Sequence, residues 1–104
     1  MPKALETQRT GSRETPAQRR QRERLQADVG ARVAELRKGH GLTQAALAER
    51  LKVNMRHVQA IEHGQENLTL GSLGKLAHAL DVEVRALFEA PQPRTRRPGR
   101  PPRR

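Results

Sequence analysis

The chain of 104 residues contains no cysteine, tryptophan or tyrosine, and its single aromatic residue is Phe88. The lack of thiols excludes disulfides and thiolate zinc sites. No apolar run approaches the roughly 18 residues that a membrane-spanning helix requires, and the first residues lack a hydrophobic signal region. We therefore expect a cytoplasmic protein that needs no cofactor, uses no membrane as partner and builds its core from aliphatic side chains.

The residue patterns that usually carry catalysis or metal binding are also missing. His57 and His63 lie six positions apart, whereas two ligands on one helix face need a spacing of roughly three or four. No nucleophile elbow, phosphate-binding loop or pair of catalytic carboxylates stands out. The sequence therefore predicts no metal site, no small-molecule substrate and no enzymatic activity.

The net charge of +10 is concentrated at the two ends of the chain. Residues 1–27 carry seven Lys or Arg and three Glu, and residues 91–104 carry six Arg and no acidic residue. Residues 28–90 contain eight basic and eight acidic residues, so this middle segment is neutral. A basic excess favours nucleic acid or another anionic surface as partner, and here the flanks supply that attraction.

Composition divides the chain into four segments. They are a disordered basic arm (1–14), a polar helical extension (15–27), a folded domain (28–90) and a disordered tail rich in Arg and Pro (91–104). Thr15 followed by Pro16 predicts the start of the extension, with Gln18 placed for a capping box. Because the extension is almost wholly polar, its simplest interpretation is a frayed or solvated helix.

Apolar stripes at helical spacing predict five helices within residues 28–90. Their inner positions are Val29, Val33 and Leu36 in the first, Leu47, Ala48 and Leu51 in the second, Val58 and Ile61 in the third, Leu70, Leu73, Leu76, Ala77 and Leu80 in the fourth, and Val84, Leu87 and Phe88 in the last. Thr43 and Asn54 stand as N-caps of the second and third helices. With no alternating strand pattern, the predicted fold is all-α: a compact five-helix domain.

The second and third predicted helices are arranged in a way that points to a function. They are joined only by Lys52–Asn54, and so short a joint forces two helices to cross steeply. Ala48 stands where the helices approach most closely and where a small side chain is needed. This arrangement leaves the start of the third helix pointing outward, where it can enter a DNA major groove.

The segment GLTQAALAERLKVNMRHVQAIEHG, residues 41–64, resembles the helix-turn-helix of the phage repressor and Cro family, also called XRE-like. The flanking segments RVAELRKGHGLTQ and LGKLAHALDVEVRALFE extend the resemblance to about residues 29–88. It implies a repressor-like domain that binds double-stranded operator DNA, usually as a symmetric homodimer. The protein would then be a nucleoid-associated transcriptional regulator, most simply a repressor.

The resemblance also implies roles for individual residues. It assigns base contacts to Met55, Arg56, Gln59 and Ala60, and phosphate contacts to Thr43, Gln44, His57 and Asn67. Arg56 can bond O6 and N7 of a guanine together, whereas Met55 and Ala60 offer only apolar contact. The alternatives are an ordinary exposed glutamine at Gln44, a phosphate or solvent contact at Arg56, and either a phosphate or a flanking base for His57 and Gln59.

Arg37 and Glu62 match a pair that forms a partly buried ion pair in the family, with a structural role. Two departures from the family pattern stand beside this match. Lys52 occupies the turn position usually held by Gly, which costs about 1–2 kcal/mol if the turn keeps a positive φ there. Glu66 replaces a residue that is often basic, and its carboxylate would repel a phosphate.

Within the tail, RRPGRPPR resembles an AT-hook, the short motif that lies in the minor groove of A·T-rich DNA. Gly99, Arg100 and Pro101 match its core, although Pro98 replaces the usual Arg. Arg97, Arg100 and Arg103 would then bind the narrow minor groove, or else touch phosphates anywhere along the duplex.

Two other functions fit the same sequence. Because the net charge lies in the flanks, the protein could be an architectural, weakly specific DNA-coating protein. Because Lys52 and Glu66 depart from the family pattern, it could instead be an antitoxin-like adaptor that binds a protein partner.

Overall fold

The computed structural model describes residues 13–92, and all regular structure within them is helical. Its elements are α1 (Pro16–Gly39), α2 (Gln44–Leu51), α3 (Met55–Glu62), α4 (Leu70–Leu80) and a 3-10 helix (Val84–Phe88). The predicted all-α class is confirmed for this part of the chain. The predicted tail contacts of Arg97, Arg100 and Arg103, and most of the predicted basic arm, lie outside the described residues.

The predicted count of five α-helices is wrong, because the described residues contain four α-helices and one 3-10 helix. In the last element Ala86 N–H donates to Glu83 O at 2.9 Å and Glu89 N–H donates to Ala86 O at 3.4 Å. Bonds between residues three apart define the tighter 3-10 helix, which is used in short pieces. An apolar stripe over so few residues cannot distinguish the two helix types.

The polar extension and the first core helix form one continuous helix of 24 residues, α1. At its start Gln18 N–H donates to Thr15 Oγ1 at 3.1 Å, and Thr15 N–H donates to Gln18 Oε1 at 2.9 Å. These two bonds are the predicted capping box. Buried residues of α1 begin only at Val29, so the extension is a helix that the core supports from its C-terminal side.

Three further caps set where the remaining α-helices begin. The side chains of Thr43, Asn54 and Thr69 each accept a hydrogen bond at 3.0 Å from the backbone N–H three residues later. Each bond satisfies an amide of the first turn that has no partner within its own helix. The starts of α2 and α3, which matter for the site, are therefore well defined.

The core lies where all five elements meet. Its buried aliphatic residues are Val29, Val33, Leu47, Ala48, Val58, Ile61, Leu73, Leu76, Ala77, Ala79, Leu80 and Leu87. Three residues predicted to face inward are instead exposed: Leu70 by 85%, Val84 by 41% and Phe88 by 50%. Leu70 opens α4 one turn before the core begins, while Val84 and Phe88 lie at the two ends of a helix that packs through Leu87.

α1 crosses α3 at Gly30, which is buried. A Cβ atom at this position would lie 2.9 Å from the carbonyl oxygen of Glu62 and closer still to that of Ile61. Only glycine permits so close an approach of the two backbones. Gly30 thereby sets the distance between α1 and the helix that carries the candidate DNA-reading residues.

The turn between α2 and α3 is left-handed at Lys52, although the residue is not glycine. Lys52 has φ 61° and ψ 44°, and the next residue, Val53, donates its N–H to Ala48 O at 3.0 Å. The turn is therefore not reshaped to suit a residue with a Cβ atom. We conclude that Lys52 bears the predicted strain.

Replacing Lys52 by Gly should raise the free energy of unfolding by about 1 kcal/mol. The left-handed conformation costs an L-residue about 1–2 kcal/mol, and part of that gain is offset by the freedom of glycine in the unfolded chain. Urea denaturation followed by circular dichroism measures the change. Asp81→Gly is the matched control: Asp81 also has positive φ, 58°, but Asp tolerates this region better. An equal gain at both positions would contradict the account.

Candidate nucleic-acid interface

A buried ion pair connects α1 with the end of α3. Arg37 Nε lies 2.6 Å from Glu62 Oε2, and Arg37 Nη2 donates to Glu62 Oε1 at 3.1 Å. The two side chains are only 10% and 6% exposed, and Arg37 Nη1 also donates to Leu42 O at 2.9 Å. A two-pronged bond of this kind fixes orientation as well as distance. It therefore ties α3 to both α1 and the turn that leads into α2.

Gln44, the first residue of α2, joins the same network. Its Nε2 donates to Glu62 Oε1 at 2.9 Å, and its Oε1 accepts from Gln59 Nε2 at 3.5 Å. The side chain is thus held between α2 and α3 rather than turned freely to solvent. Because an amide nitrogen carries two protons, Nε2 keeps one donor in addition to the proton given to Glu62.

The first turn of α3 presents the side chains that the resemblance assigns to base contacts. Asn54 caps the helix by accepting a hydrogen bond from His57 N–H. Met55 is 44% exposed, and Arg56 is also exposed. Within residues 13–92 no hydrogen bond or ion pair occupies the guanidinium of Arg56. Its donors are therefore available to a ligand outside the domain.

The remaining predicted contact residues surround this first turn. His57, Gln59 and Ala60 are all partly buried, whereas Asn67 is exposed in the loop after α3. Thr43 is exposed, although its hydroxyl is already used as the cap of α2. The structure thus brings the predicted base and phosphate residues close to α2 and α3, apart from Asn67, which lies in the following loop.

The loop after α3 is tied to the helical extension by contacts that the sequence did not reveal. Gln26 Nε2 donates to the carbonyl oxygen of Glu66 at 2.5 Å. Arg22 Nη1 in turn donates to Gln26 Oε1 at 2.7 Å. The carboxylate of Glu66 lies 3.9 Å from Nδ1 of His57, so it is placed beside α3. The extension therefore helps to position the loop that carries Asn67.

Arg22 also binds Glu14, a residue that the sequence placed in a disordered arm. Arg22 Nε and Nη2 donate to the two Glu14 oxygens at 2.7 and 3.0 Å. These hydrogen bonds lower the pKa of Glu14 from its ordinary value and raise that of Arg22. Since the pKa of Glu14 is lowered on folding, its contribution is present at neutral pH and is lost as the pH falls through that pKa.

Two positioning residues, Gly30 and Gln26, were missed by sequence reasoning. An isolated glycine inside a helical stripe indicates close packing, and Gly30 could have been found from this pattern. Gln26 carried no such signal, because its partner is a backbone oxygen distant in sequence. Within residues 13–92 no group of three or more His, Cys, Asp or Glu residues could hold a metal ion. None of the helices described here has the length and apolar character to cross a membrane.

Comparison with known proteins identifies the family. The family model HTH_3, described as helix-turn-helix, matches residues 33–87. The chain belongs to this helix-turn-helix family. The match covers the C-terminal part of α1 from Val33, all of α2, α3 and α4, and the 3-10 helix up to Leu87.

Relatives of this HTH_3 chain include transcriptional regulators. It is 38% identical over 68 residues to RamB of Mycobacterium tuberculosis, a stretch that is 65% of this chain and 14% of RamB. It is 34% identical over 61 residues to the regulator y4aM of Sinorhizobium fredii, which is 59% of this chain and 43% of y4aM. The chain thus matches less than two thirds of the length of these relatives.

Solved structures give a fuller overlap for the HTH_3 domain. The restriction-modification controller protein C.AhdI of Aeromonas hydrophila superposes with a TM-score of 0.61 and 39% identity, over 64% of this chain and 96% of that protein. The clp gene regulator ClgR of C. glutamicum superposes with a TM-score of 0.58 and 27% identity, over 61% of this chain and 82% of that protein. The fold seen here is therefore shared with proteins named as gene regulators.

Removing Arg37 should be costly, because Glu62 would be left as a buried charge with only Gln44 as a side-chain donor. Arg37→Met should lower the free energy of unfolding by about 3–5 kcal/mol, measured by urea denaturation. The control is Arg85→Met, which breaks a pair whose side chains are 85% and 77% exposed and should cost about 1 kcal/mol or less. Similar losses in the two variants would show that the Arg37–Glu62 pair does not organise the domain.

Proposed function

We propose that this protein is a sequence-specific, double-stranded-DNA-binding transcriptional regulator, most simply a repressor, that places α3 in the major groove. The proposal rests mainly on the exposure of the side chains at the start of α3. Exposed Met55 and Arg56 stand there on a capped helix of the helix-turn-helix family, and the buried pair of Arg37 and Glu62 holds that helix in place. Arg56 would read a guanine, and Met55 would touch a thymine methyl group.

Phosphate contacts would then fix α3 in the groove. The start of α2 offers backbone N–H groups and the positive end of the helix dipole to a phosphate oxygen. Gln44 would add its remaining amide proton there, and Thr43 would lie beside it. His57 and Asn67 would meet a second phosphate near the loop after α3. Such contacts set register and orientation without selecting sequence.

Most of the attraction to DNA would come from residues 1–27 and 91–104 rather than from residues 28–90. Residues 28–90 are neutral, whereas the flanks carry the entire excess of positive charge. Arg97, Arg100 and Arg103 would bind phosphates or the minor groove, and each phosphate neutralised adds roughly 0.9 to the salt dependence. Discrimination and attraction would therefore belong to different parts of the same chain.

The protein would act as a homodimer on two half-sites about one helical turn apart, the usual arrangement of such domains. The names of its relatives support a regulatory role: RamB is a transcriptional regulator, and C.AhdI controls restriction and modification. We place the protein in the cytoplasm, on the nucleoid, because that is where its DNA target would be.

Arg56→Ala should weaken binding to a site selected from random DNA by about 1–3 kcal/mol and relax the preference at one base pair. The reason is the loss of two hydrogen bonds to one guanine. Fluorescence anisotropy on the selected and a scrambled duplex measures both effects. Arg85→Ala is the charge-matched control, since Arg85 is exposed on the 3-10 helix.

Three outcomes of that experiment would overturn the proposal or the role it gives to Arg56. Equal weakening on both duplexes would mean that Arg56 touches only phosphate. A full-length protein that selects no site, yet binds every duplex equally, would be an architectural coating protein. Folded protein that binds no DNA even at about 50 mM salt, where phosphate contacts are strong, would favour an adaptor for a protein partner.

Deleting residues 91–104 should reduce affinity for selected and scrambled duplexes alike and flatten the plot of log affinity against log salt. The tail contributes six arginines, and each phosphate contact removed lowers the slope by roughly 0.9. The control replaces the six arginines with glutamine and keeps the tail length. An unchanged slope in both variants would show that the tail does not touch DNA.

A further inference from the structure

The helical extension, residues 15–27, carries positive charge that the contacts within the domain do not use. It contains four arginines and one acidic residue, so its net charge is +3. Only Arg22 among these arginines forms a side-chain hydrogen bond or ion pair with the rest of residues 13–92. The other three, Arg19, Arg20 and Arg24, are exposed. Their guanidinium groups are therefore available to an anionic partner.

Close packing shows which side of the extension lies next to α3. A Cβ atom on Gly64, just beyond the end of α3, would lie 2.8 Å from the Cα atom of Ala27. The side of α1 that contains Ala27 therefore faces the end of α3. Residues three and seven positions apart share a helix face. Arg24 and Arg20 thus lie on this same side, about one and two turns ahead of Ala27.

The loop after α3 meets the extension at a defined point. Gln26 Nε2 donates to the carbonyl oxygen of Glu66, and Asn67 lines a small cavity together with Arg22. The proposed function places Asn67 on a phosphate, so the extension leaves the domain where the DNA backbone would pass. From Gln26 to Pro16 the helix continues for about 15 Å. Over that length of duplex axis one strand carries roughly four phosphates.

Hydrogen bonds at both ends of the extension hold it as a helix. Thr15 and Gln18 form the capping box at its start. Arg22 donates to Glu14 through Nε and Nη2 and to Gln26 through Nη1. Because Arg22 uses all three nitrogens in this way, it is a positioning residue and not a phosphate ligand. A preformed helix loses less conformational freedom on binding than a flexible segment does.

We propose that the helical extension is a further DNA-binding element, in which Arg20 and Arg24 bind phosphates beyond the contact made by the loop after α3. The inference rests on the proposed function, because it takes the position of the DNA from α3 and that loop. Guanidinium groups match phosphate in charge and can form two parallel hydrogen bonds with it. The extension would lengthen the contacted stretch of DNA, and the bond from Gln26 to Glu66 O would set its register.

Neutralising the two arginines tests the phosphate contacts. In the full-length protein, Arg20→Gln/Arg24→Gln should lower the slope of log affinity against log salt by roughly 1.8 per bound protomer, because each phosphate contact contributes roughly 0.9. Fluorescence anisotropy measures the slope on the duplex selected from random DNA, extended at each end by one helical turn, about 10 base pairs.

A matched control removes the same charge elsewhere. Lys75→Gln/Arg85→Gln changes exposed residues of α4 and the 3-10 helix and should lower the slope by much less. Equal changes in the two double variants would mean that only the net charge of the protein matters, and would overturn the inference.

Breaking the helix without changing its charge tests whether the position of the arginines matters. Gln21 is exposed, and Gln21→Pro removes a backbone donor and clashes with the preceding turn. This variant should release Arg20, whereas Gln21→Ala keeps the helix. Hydroxyl-radical footprinting should show protection outside the half-site for the wild type and Gln21→Ala, and loss of its outermost positions in Gln21→Pro. Unchanged protection in Gln21→Pro would contradict a role for the helix.

The outcomes separate this inference from the proposed function. If the selected duplex is preferred over a scrambled one and Arg20→Gln/Arg24→Gln keeps the wild-type slope, the inference is wrong and the proposed function stands. If all duplexes bind equally and only this variant lowers the slope, sequence-specific regulation fails and the contact of the extension with DNA stands. Protein that binds no duplex even at about 50 mM salt would overturn both.

Discussion

The buried ion pair of Arg37 and Glu62 is the constraint on which the rest of the site depends. It joins α1 and α3 directly, reaches the α1–α2 turn through Leu42 O, and reaches α2 through Gln44. A buried pair of charges contributes little net stability compared with apolar packing, but breaking it is expensive. Its value here is geometric: one carboxylate holds the end of α3 against both α1 and the start of α2.

Charge and shape are divided between different parts of this chain. Residues 28–90 are neutral and supply defined geometry, with Arg56 displayed on a capped helix. The positive charge lies in the flanks, which add attraction over a longer range. The continuous helix α1 connects these parts, because its N-terminal half holds the loop after α3 and its C-terminal half packs in the core.

Local features of the fold were predictable, and features that arise from packing were not. The N-cap at Asn54 depends on neighbouring residues and was predicted correctly. The position of the turn at Lys52 was also predicted, but its backbone conformation was left open. The bond from Gln26 to Glu66 O joins residues 40 apart, and no local pattern encodes it. Leu70 fits the apolar stripe of α4, but it is the first residue of that helix and lies outside the core. The predicted contact residues of the site could be located, but which of them touch DNA depends on a partner outside the fold.

Mapping backbone NMR shifts while a selected duplex is added tests the central claim most directly. The claim is that the ion-pair network presents the starts of α2 and α3 together as one DNA-binding surface. The account predicts that the largest shifts lie at residues 43–46 and 54–60, with smaller ones at Asn67. Shifts confined to the exposed face of α4, or to the termini alone, would contradict it.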